Sequence, residues 1–254
     1  MFSVEQLYAI YQQHPVISTD SRNLPDGCIF FALKGENFDG NKFAEQALEK
    51  GAAYAVIDNP SCQTDERCLL VPDVLEALQQ LARHHRLQFD IPVVAIGGSN
   101  GKTTTKELVS AVLSSHYPCH FTKGNLNNHI GVPLTLLAMP PGTEVAIIEM
   151  GTNQPGDIDQ LCHIALPTHG LITNIGKEHL EGFGSLEGVK KAEKELYDYL
   201  RLNSGCIFVN LSERYLAAMA KKNRMKVGYK MSSGEELPGD GIIEVELLSY
   251  MPFV

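Results

Sequence analysis

Gly98, Ser99, Asn100, Gly101, Lys102, Thr103 and Thr104 form a run in which glycines precede a lysine and adjacent hydroxyls. That combination suits phosphate chemistry. Glycines let backbone N–H groups approach phosphate oxygens, and a helix starting just behind them turns its positive end toward the same anion. Lys102 can then reach β- and γ-phosphates, and the Thr103 hydroxyl can bind Mg2+. The run departs from the strict G-x-x-x-x-G-K-S/T pattern, because Ile96 stands where the first glycine belongs. What remains is G-x-x-G-K-T on Gly98 and Gly101. A plain glycine turn before a basic helix start is the alternative, and the strand–loop–helix context with a complete Gly-Lys-Thr favours phosphate.

Other residues have useful types. Glu149 closes the apolar run Val145–Met150 (VAIIEM), with Gly151 just beyond. In a doubly wound sheet a ligand site opens at such a strand end, although a carboxylate there could instead cap the next helix. His179 lies in the string IGKEHLEGFG, and Asn127 and Asn128 lie in KGNLNNHIGVP, where a bare turn would also favour asparagine. Ser18, Thr19, Asp20, Ser21 and Arg22 make a polar run that an ordinary turn would also use.

These residues need a scaffold. Apolar runs rich in β-branched residues alternate with helical patterns: strands at Cys28–Leu33, Ala52–Ile57, Val93–Ile96, Val145–Met150, Gly170–Asn174, Cys206–Val209 and Ile242–Leu248. Helices are predicted over Asn41–Lys50, with Gly51 as terminator, and over Asp73–Gln88, with Asp73 as N-cap. Further helices start at Lys102 and span Gly156–Ile164 and Ser185–Arg201. Strands apolar throughout are covered on both faces, and strand–helix alternation predicts a parallel, doubly wound sheet. The break at Asp90-Ile91-Pro92 divides the chain into a small N-terminal α/β domain, 1–88, and a second domain, 91–254. Ser232–Gly241 reads as a loop.

A formal net charge of −9 argues against a general nucleic-acid or membrane-surface binder. It leaves a nucleotide ligand open, because loop amides and metal ions supply local positive potential. Six scattered cysteines without a C-x-x-C pair predict reduced thiols. The N-terminus reads as a polar helix rather than a signal peptide, and no apolar run approaches ~18 residues. The expectation is a cytoplasmic protein without membrane insertion.

The form G-S-N-G-K-T-T-T, followed in order by KGNLNNHIGVP, VAIIEMG and TNIGKEHLEGFGS, resembles the Mur ligase family. The N-terminal string ISTDSRNLPDGCIFFALKGENFDG resembles the UDP-binding domain of the tripeptide and pentapeptide ligases. GNLNNHIGVP with EMGTNQPGDI is similar to the branch that adds D-alanyl-D-alanine. The likeness runs to about residue 210. It implies a P-loop ATPase-like central domain and an ATP- and Mg2+-dependent carbon–nitrogen ligase of peptidoglycan precursor synthesis. That enzyme would activate the carboxylate of UDP-MurNAc-tripeptide as an acyl phosphate, which the amine of D-Ala-D-Ala attacks.

The same resemblance implies roles. Glu149 and Thr103 would hold one Mg2+ and His179 a second, although magnesium prefers oxygen ligands. Lys102, Asn127 and Asn128 would act near the γ-phosphate and acyl group. Ser18–Arg22 would bind uridine diphosphate, with Arg22 pairing a phosphate in bidentate fashion. Relatives often carry a lysine that CO2 converts to a carbamate bridging magnesium. Aligning Glu195-Leu196-Tyr197 puts Glu193 at that position, between Lys191 and Lys194, so Glu193 is expected to supply a carboxylate directly. The central domain is expected to be incomplete at Val254 and a C-terminal domain missing, giving a chain that binds ligands without turnover. A related Mur ligase, a folylpolyglutamate synthase-like ligase and a non-catalytic sugar-nucleotide module stay open. So does a small-molecule kinase; a GTPase would need N-K-x-D, which the sequence lacks.

Overall fold

Short strands and amphipathic helices alternate in the computed structural model, which describes residues 1–176, 183–231 and 242–245. Two α/β units form. The first comprises Met1–Asp90 with Lys123–Pro141, and the second Ile91–Thr122 with Gly142–Val254.

In the first unit, α1 (Val4–Gln13) starts with a capping box in which Ser3 and Gln6 exchange side-chain-to-backbone bonds. Strands β1 (Ile17–Ser18) and β2 (Ile29–Phe31) follow, then the small antiparallel pair β3 (Lys34–Gly35) and β4 (Phe38–Asp39). After α2 (Ala44–Glu49), Gly51 adopts φ +102° and ends the helix as its sequence predicts. Next come β5 (Tyr54–Ile57), β6 (Cys68–Leu70) and α3 (Val74–Arg86), whose first turn is capped by Asp73 Oδ1 accepting from Glu76 N at 2.7 Å. The sheet is parallel in the order β1-β2-β5-β6, and Cys28, Phe30, Ala55 and Ile57 build its core.

The second unit opens with β7 (Val93–Gly97), α4 (Lys102–Leu113) and β8 (Cys119–Phe121). The chain then contributes α5 (Gly131–Leu137) to the first unit. This differs from the sequence division, which keeps residues 123–141 in the second domain. The reason is packing: Val132 and Leu136 of α5 are fully buried, the Tyr11 hydroxyl donates to Leu137 O, and His85 Nε2 lies 3.1 Å from Met139 O. Helix α5 itself escaped the sequence reading because Gly131 and Pro133 look like breakers. Pro133 sits in the first turn, where a missing N–H costs nothing.

Strand β9 (Val145–Glu149), α6 (Asp157–Ala165), β10 (His169–Ile172), α7 (Leu186–Leu202), β11 (Cys206–Asn210), α8 (Arg214–Met219), β12 (Lys226–Met231) and β13 (Ile242–Val245) complete the unit. Its seven strands run in the order β13-β12-β11-β10-β7-β9-β8, with every neighbouring pair parallel. The expected doubly wound α/β architecture is therefore present. All five β9 residues are buried, as a strand covered on both faces requires. Strands β1, β3, β4, β6, β8 and β12 are additional to those read from the sequence. The expected loop Ser232–Gly241 and the end of the last expected strand, residues 246–248, lie outside the described residues. All six cysteines are free thiols, and no described helix is long and apolar enough to cross a membrane.

Candidate active site

The chain runs outward from β7 toward β8 and β9 and then crosses back to β10, so the C-terminal end of β7 lies where the winding reverses. Ligands of open α/β sheets bind at such a point. The loop Gly98–Gly101 occupies it. Gly98 has φ +118° and Gly101 φ +79°, both left-handed conformations open to glycine. A Cβ on Gly98 would also overlap Thr173, so the glycine is required twice over.

Partners in the segment just after β10 and on α7 hold the loop. Ser99 N donates to Asn174 O at 3.0 Å and Asn100 N to Asn174 Oδ1 at 3.1 Å. Asn100 O accepts from Thr173 Oγ1 at 2.7 Å and Asn174 Nδ2 at 2.9 Å, while Gly176 N donates to Ser99 Oγ at 2.8 Å. From α7, Glu193 reaches the loop's origin: its Oε2 accepts from Gly98 N at 2.7 Å, and the residue is 2% exposed. Glu193 thus stands beside the loop with one oxygen committed to the Gly98 amide. Of the flanking lysines, Lys194 pairs with Asp198 and Lys191 is exposed.

Lys102 is half-buried and donates to Gly98 O at 2.5 Å and Ser99 O at 3.1 Å, so its ammonium arches over the loop where phosphate oxygens would sit. One residue on, the Thr103 hydroxyl donates to Glu149 Oε1 at 3.2 Å, and Glu149 N donates to Thr122 Oγ1 at 3.0 Å. Glu149 is 1% exposed at the end of β9, beside β7 with Ile96 opposite. Thr104 is exposed on the first turn of α4.

Thr103 and Glu149 bring two hard oxygen donors together beside a lysine. Among the described residues, no group of three or more His, Cys, Asp or Glu gathers to hold a metal. One carboxylate and one hydroxyl, completed by phosphate oxygens and water, is the set Mg2+ takes in nucleotide sites, so these residues fit that ion. His179 lies outside the described residues.

The remaining predicted positions belong to the first unit. Asn128 Oδ1 accepts from Ile130 N at 3.1 Å and Gly131 N at 2.8 Å, fixing the start of α5, and Asn127 N donates to Asn125 O at 2.8 Å. Ser18 and Ser21 are buried, and Ser18 Oγ bonds the Asp20 backbone at 3.3 Å. The Arg22 guanidinium is spread over both Asp20 oxygens at 2.9 and 2.8 Å and is largely exposed. Those bonds hold the Asp20 carboxyl down to about 2. Thr19 is half-buried between them.

The sequence reading did not single out Thr173, Asn174, Gly176, Glu195 or Lys106. Glu195 caps α6, accepting from Gly156 N at 2.8 Å and Asp159 N at 3.1 Å, with burial pushing its carboxyl up. The string TNIG offered a signal for the first three, since two hydrogen-bonding side chains directly follow an apolar strand.

Family comparison agrees with this geometry. The Mur ligase middle domain matches residues 96–245, and the family's domain described as "Mur ligase family, catalytic domain" matches residues 15–86. UDP-N-acetylmuramoyl-tripeptide–D-alanyl-D-alanine ligase of Bacillus subtilis is 45% identical over 195 residues, 76% of this chain and 43% of that protein. The crystal structure of MurF from Acinetobacter baumannii superposes with a TM-score of 0.79 at 34% identity, covering 90% of this chain and 53% of that one. MurF ligase from Thermotoga maritima in complex with ADP gives 0.77 at 31%, covering 85% and 50%. The chain spans about half the length of the relatives it matches. With the middle-domain match alone covering more than half of its residues, this chain belongs to the Mur ligase family.

Proposed function

We propose that this chain supplies the nucleotide and sugar-peptide sites of an ATP-dependent ligase that joins D-Ala-D-Ala to UDP-MurNAc-tripeptide in the cytoplasm. One observation carries the proposal: a glycine loop with Lys102 arched over it, directly beside the paired Thr103 hydroxyl and Glu149 carboxylate. The names of the relatives at 45% identity and of the A. baumannii structure favour the D-alanyl-D-alanine branch.

In this reading the loop amides and Lys102 bind the β- and γ-phosphates. Lys102 exchanges its bonds to Gly98 O and Ser99 O for phosphate oxygens. Thr103 and Glu149 would hold the divalent ion, which neutralises charge as a carboxylate approaches the γ-phosphoryl group. Glu193 is a positioning residue, since its contact is with the loop amide rather than the reacting atoms. In the same reading Asn127 and Asn128 would act on the acyl group and γ-phosphate, His179 would join a second metal site, and Ser18–Arg22 would bind the uridine diphosphate. The division into a sugar-nucleotide domain, 1–88, and an ATP domain, 91–254, belongs to the same reading, with Lys123–Pro141 packed into the first unit.

Calorimetry with Mg-ADP tests the phosphate loop. K102A should lose nucleotide binding, while its stability falls by about 1 kcal/mol or less, because the freed carbonyls lie within reach of water. Undiminished Mg-ADP affinity would overturn the loop assignment. In a full-length ligase that carries these sites, ADP release that needs both UDP-MurNAc-tripeptide and D-Ala-D-Ala is expected, and release indifferent to D-Ala-D-Ala would overturn the ligase.

A further inference from the structure

Helix α4 buries two polar side chains, Lys106 and Ser110. Lys106 follows Lys102 by four residues and Thr103 by three, so it projects from the face that carries both. Its side chain is fully buried, and its ammonium has no partner in hydrogen-bonding geometry among the described residues. A buried ammonium is costly unless carboxylates compensate it. Two do so. Nζ lies 2.9 Å from Glu107 Oε1 and 3.9 Å from Glu149 Oε2. The two carboxylates differ in setting, because the Glu107 side chain is 58% exposed and that of Glu149 only 2%.

We infer that Lys106 is a positioning residue, the tethered counter-cation of the Thr103–Glu149 site. It neutralises Glu149 while no metal is bound, and it passes wholly to Glu107 when a divalent ion takes its place. The inference rests on Thr103 and Glu149 being the metal site. Its physical content is a competition. A fixed positive charge within a few ångströms of a carboxylate lowers that carboxylate's affinity for a second cation. Free metal therefore binds weakly, and binds well once phosphate oxygens add negative charge to the site. Lys106 in this way ties metal binding to nucleotide binding. Glu107 completes the device, because a carboxylate open to water accepts the displaced ammonium without leaving it unpaired.

Mn2+ titration without nucleotide, followed by the electron paramagnetic resonance of free Mn2+, tests this on the whole chain. K106M should bind Mn2+ about tenfold more tightly than wild type, the effect of removing one charge at such a range in a water-like dielectric. E107Q, a change at an exposed position that leaves the fold intact, should bind it several-fold more weakly. In the K106M background, E107Q should have no further effect, since it acts through Lys106. Equal or weaker Mn2+ binding by K106M would overturn the inference. If K106M does not fold, E107Q decides alone, and unchanged affinity overturns it. Wild-type Mn2+ binding that E149Q leaves intact would instead sink the metal site itself, and this inference with it.

Discussion

The two turns proposed to bind ligands are built in opposite ways. In the second unit, the loop Gly98–Gly101 is held by Thr173, Asn174, Gly176 and Glu193, residues more than seventy positions away in sequence. In the first unit, Ser18–Arg22 is held mostly by itself: Ser18 bonds Asp20, and Asp20 bonds Arg22. Its ties to distant residues are the pairing of Ser18 with Phe30 at the end of β1 and Lys50 Nζ, which donates to Ser21 O at 3.2 Å. A loop fixed from outside is preorganised, and its geometry is inseparable from the sheet that carries it. A turn fixed from within can exchange partners without disturbing its unit. Mutations in the first kind of turn should therefore cost stability and binding together, and in the second kind binding alone.

The most damaging test is G98A. Its φ of +118° is strained for any L residue, and the added Cβ would overlap Thr173. A loss of about 2–4 kcal/mol is expected by chemical denaturation, with nucleotide binding abolished. A G98A chain with wild-type stability would break the comparison at its strong end.

Glu193 sharpens the comparison. E193A leaves the buried Gly98 N–H without its acceptor, which costs about 2 kcal/mol. E193Q keeps an acceptor oxygen and loses only the charge-assisted part of the bond, so it should recover most of that stability and most Mg-ADP affinity. If Glu193 instead served the metal directly, E193Q would keep the fold and lose Mn2+ binding, a split that titration of both variants reads at once.

Much of this was open to a sequence reading, and the boundary has a physical cause. Gly-Lys-Thr after a buried strand is readable as a phosphate loop because in the proposed role the backbone and the helix end would do the binding, and both are local. Asp73 is readable as a cap because the N–H group it accepts from lies three residues on. Glu193 and Lys106 are different. Nothing on helix α7 announces that one of its carboxylates lies against a glycine amide, since that bond joins elements 95 positions apart. Lys106 occupies a position that periodicity assigns to an apolar side chain, so the pattern hides the charge. The boundary at residues 88–91 is marked by a proline, whereas the grouping of Lys123–Pro141 with the first unit depends on contacts of Tyr11 and His85, which no local signal records.

That grouping predicts a pH effect confined to the first unit. His85 is buried between Tyr8, whose hydroxyl lies 3.2 Å from Nδ1, and Met139 O, 3.1 Å from Nε2. The carbonyl can only accept, so Nε2 carries the proton and Nδ1 accepts from Tyr8. Burial, aided by the neighbouring charge of His84, holds the imidazole below its ordinary 6.5. Between the folded and unfolded values the unfolded chain binds more protons, so stability rises with pH there. The contribution of His85 is thus complete above about pH 6.5 and is lost as pH falls through the folded value. Thermal melts from pH 5 to 8 should show a steeper acid decline in wild type than in H85Q, and parallel profiles would contradict the assignment.

The smallest expected effect on the fold comes from Arg22. Its guanidinium is almost fully exposed, and its only described partner is an equally local carboxylate. An exposed pair two residues apart adds little to the fold, because water screens the charges and both chains lose freedom in pairing. R22A should therefore melt at the wild-type temperature. Binding is another matter in the role proposed for this turn. Arg22 would have to leave Asp20 and take a phosphate with the same two-pronged geometry, so R22A should weaken uridine diphosphate binding about tenfold, the loss of one charge-assisted bidentate contact. D20N supplies the opposite sign: it frees the guanidinium from its competitor and should leave affinity unchanged or raise it a few-fold. Calorimetric titration of wild type, R22A and D20N with uridine diphosphate reads all three. If R22A lowered the melting temperature as G98A does, this turn would be part of its unit's framework, and the contrast between a turn held from outside and a turn held from within would fail.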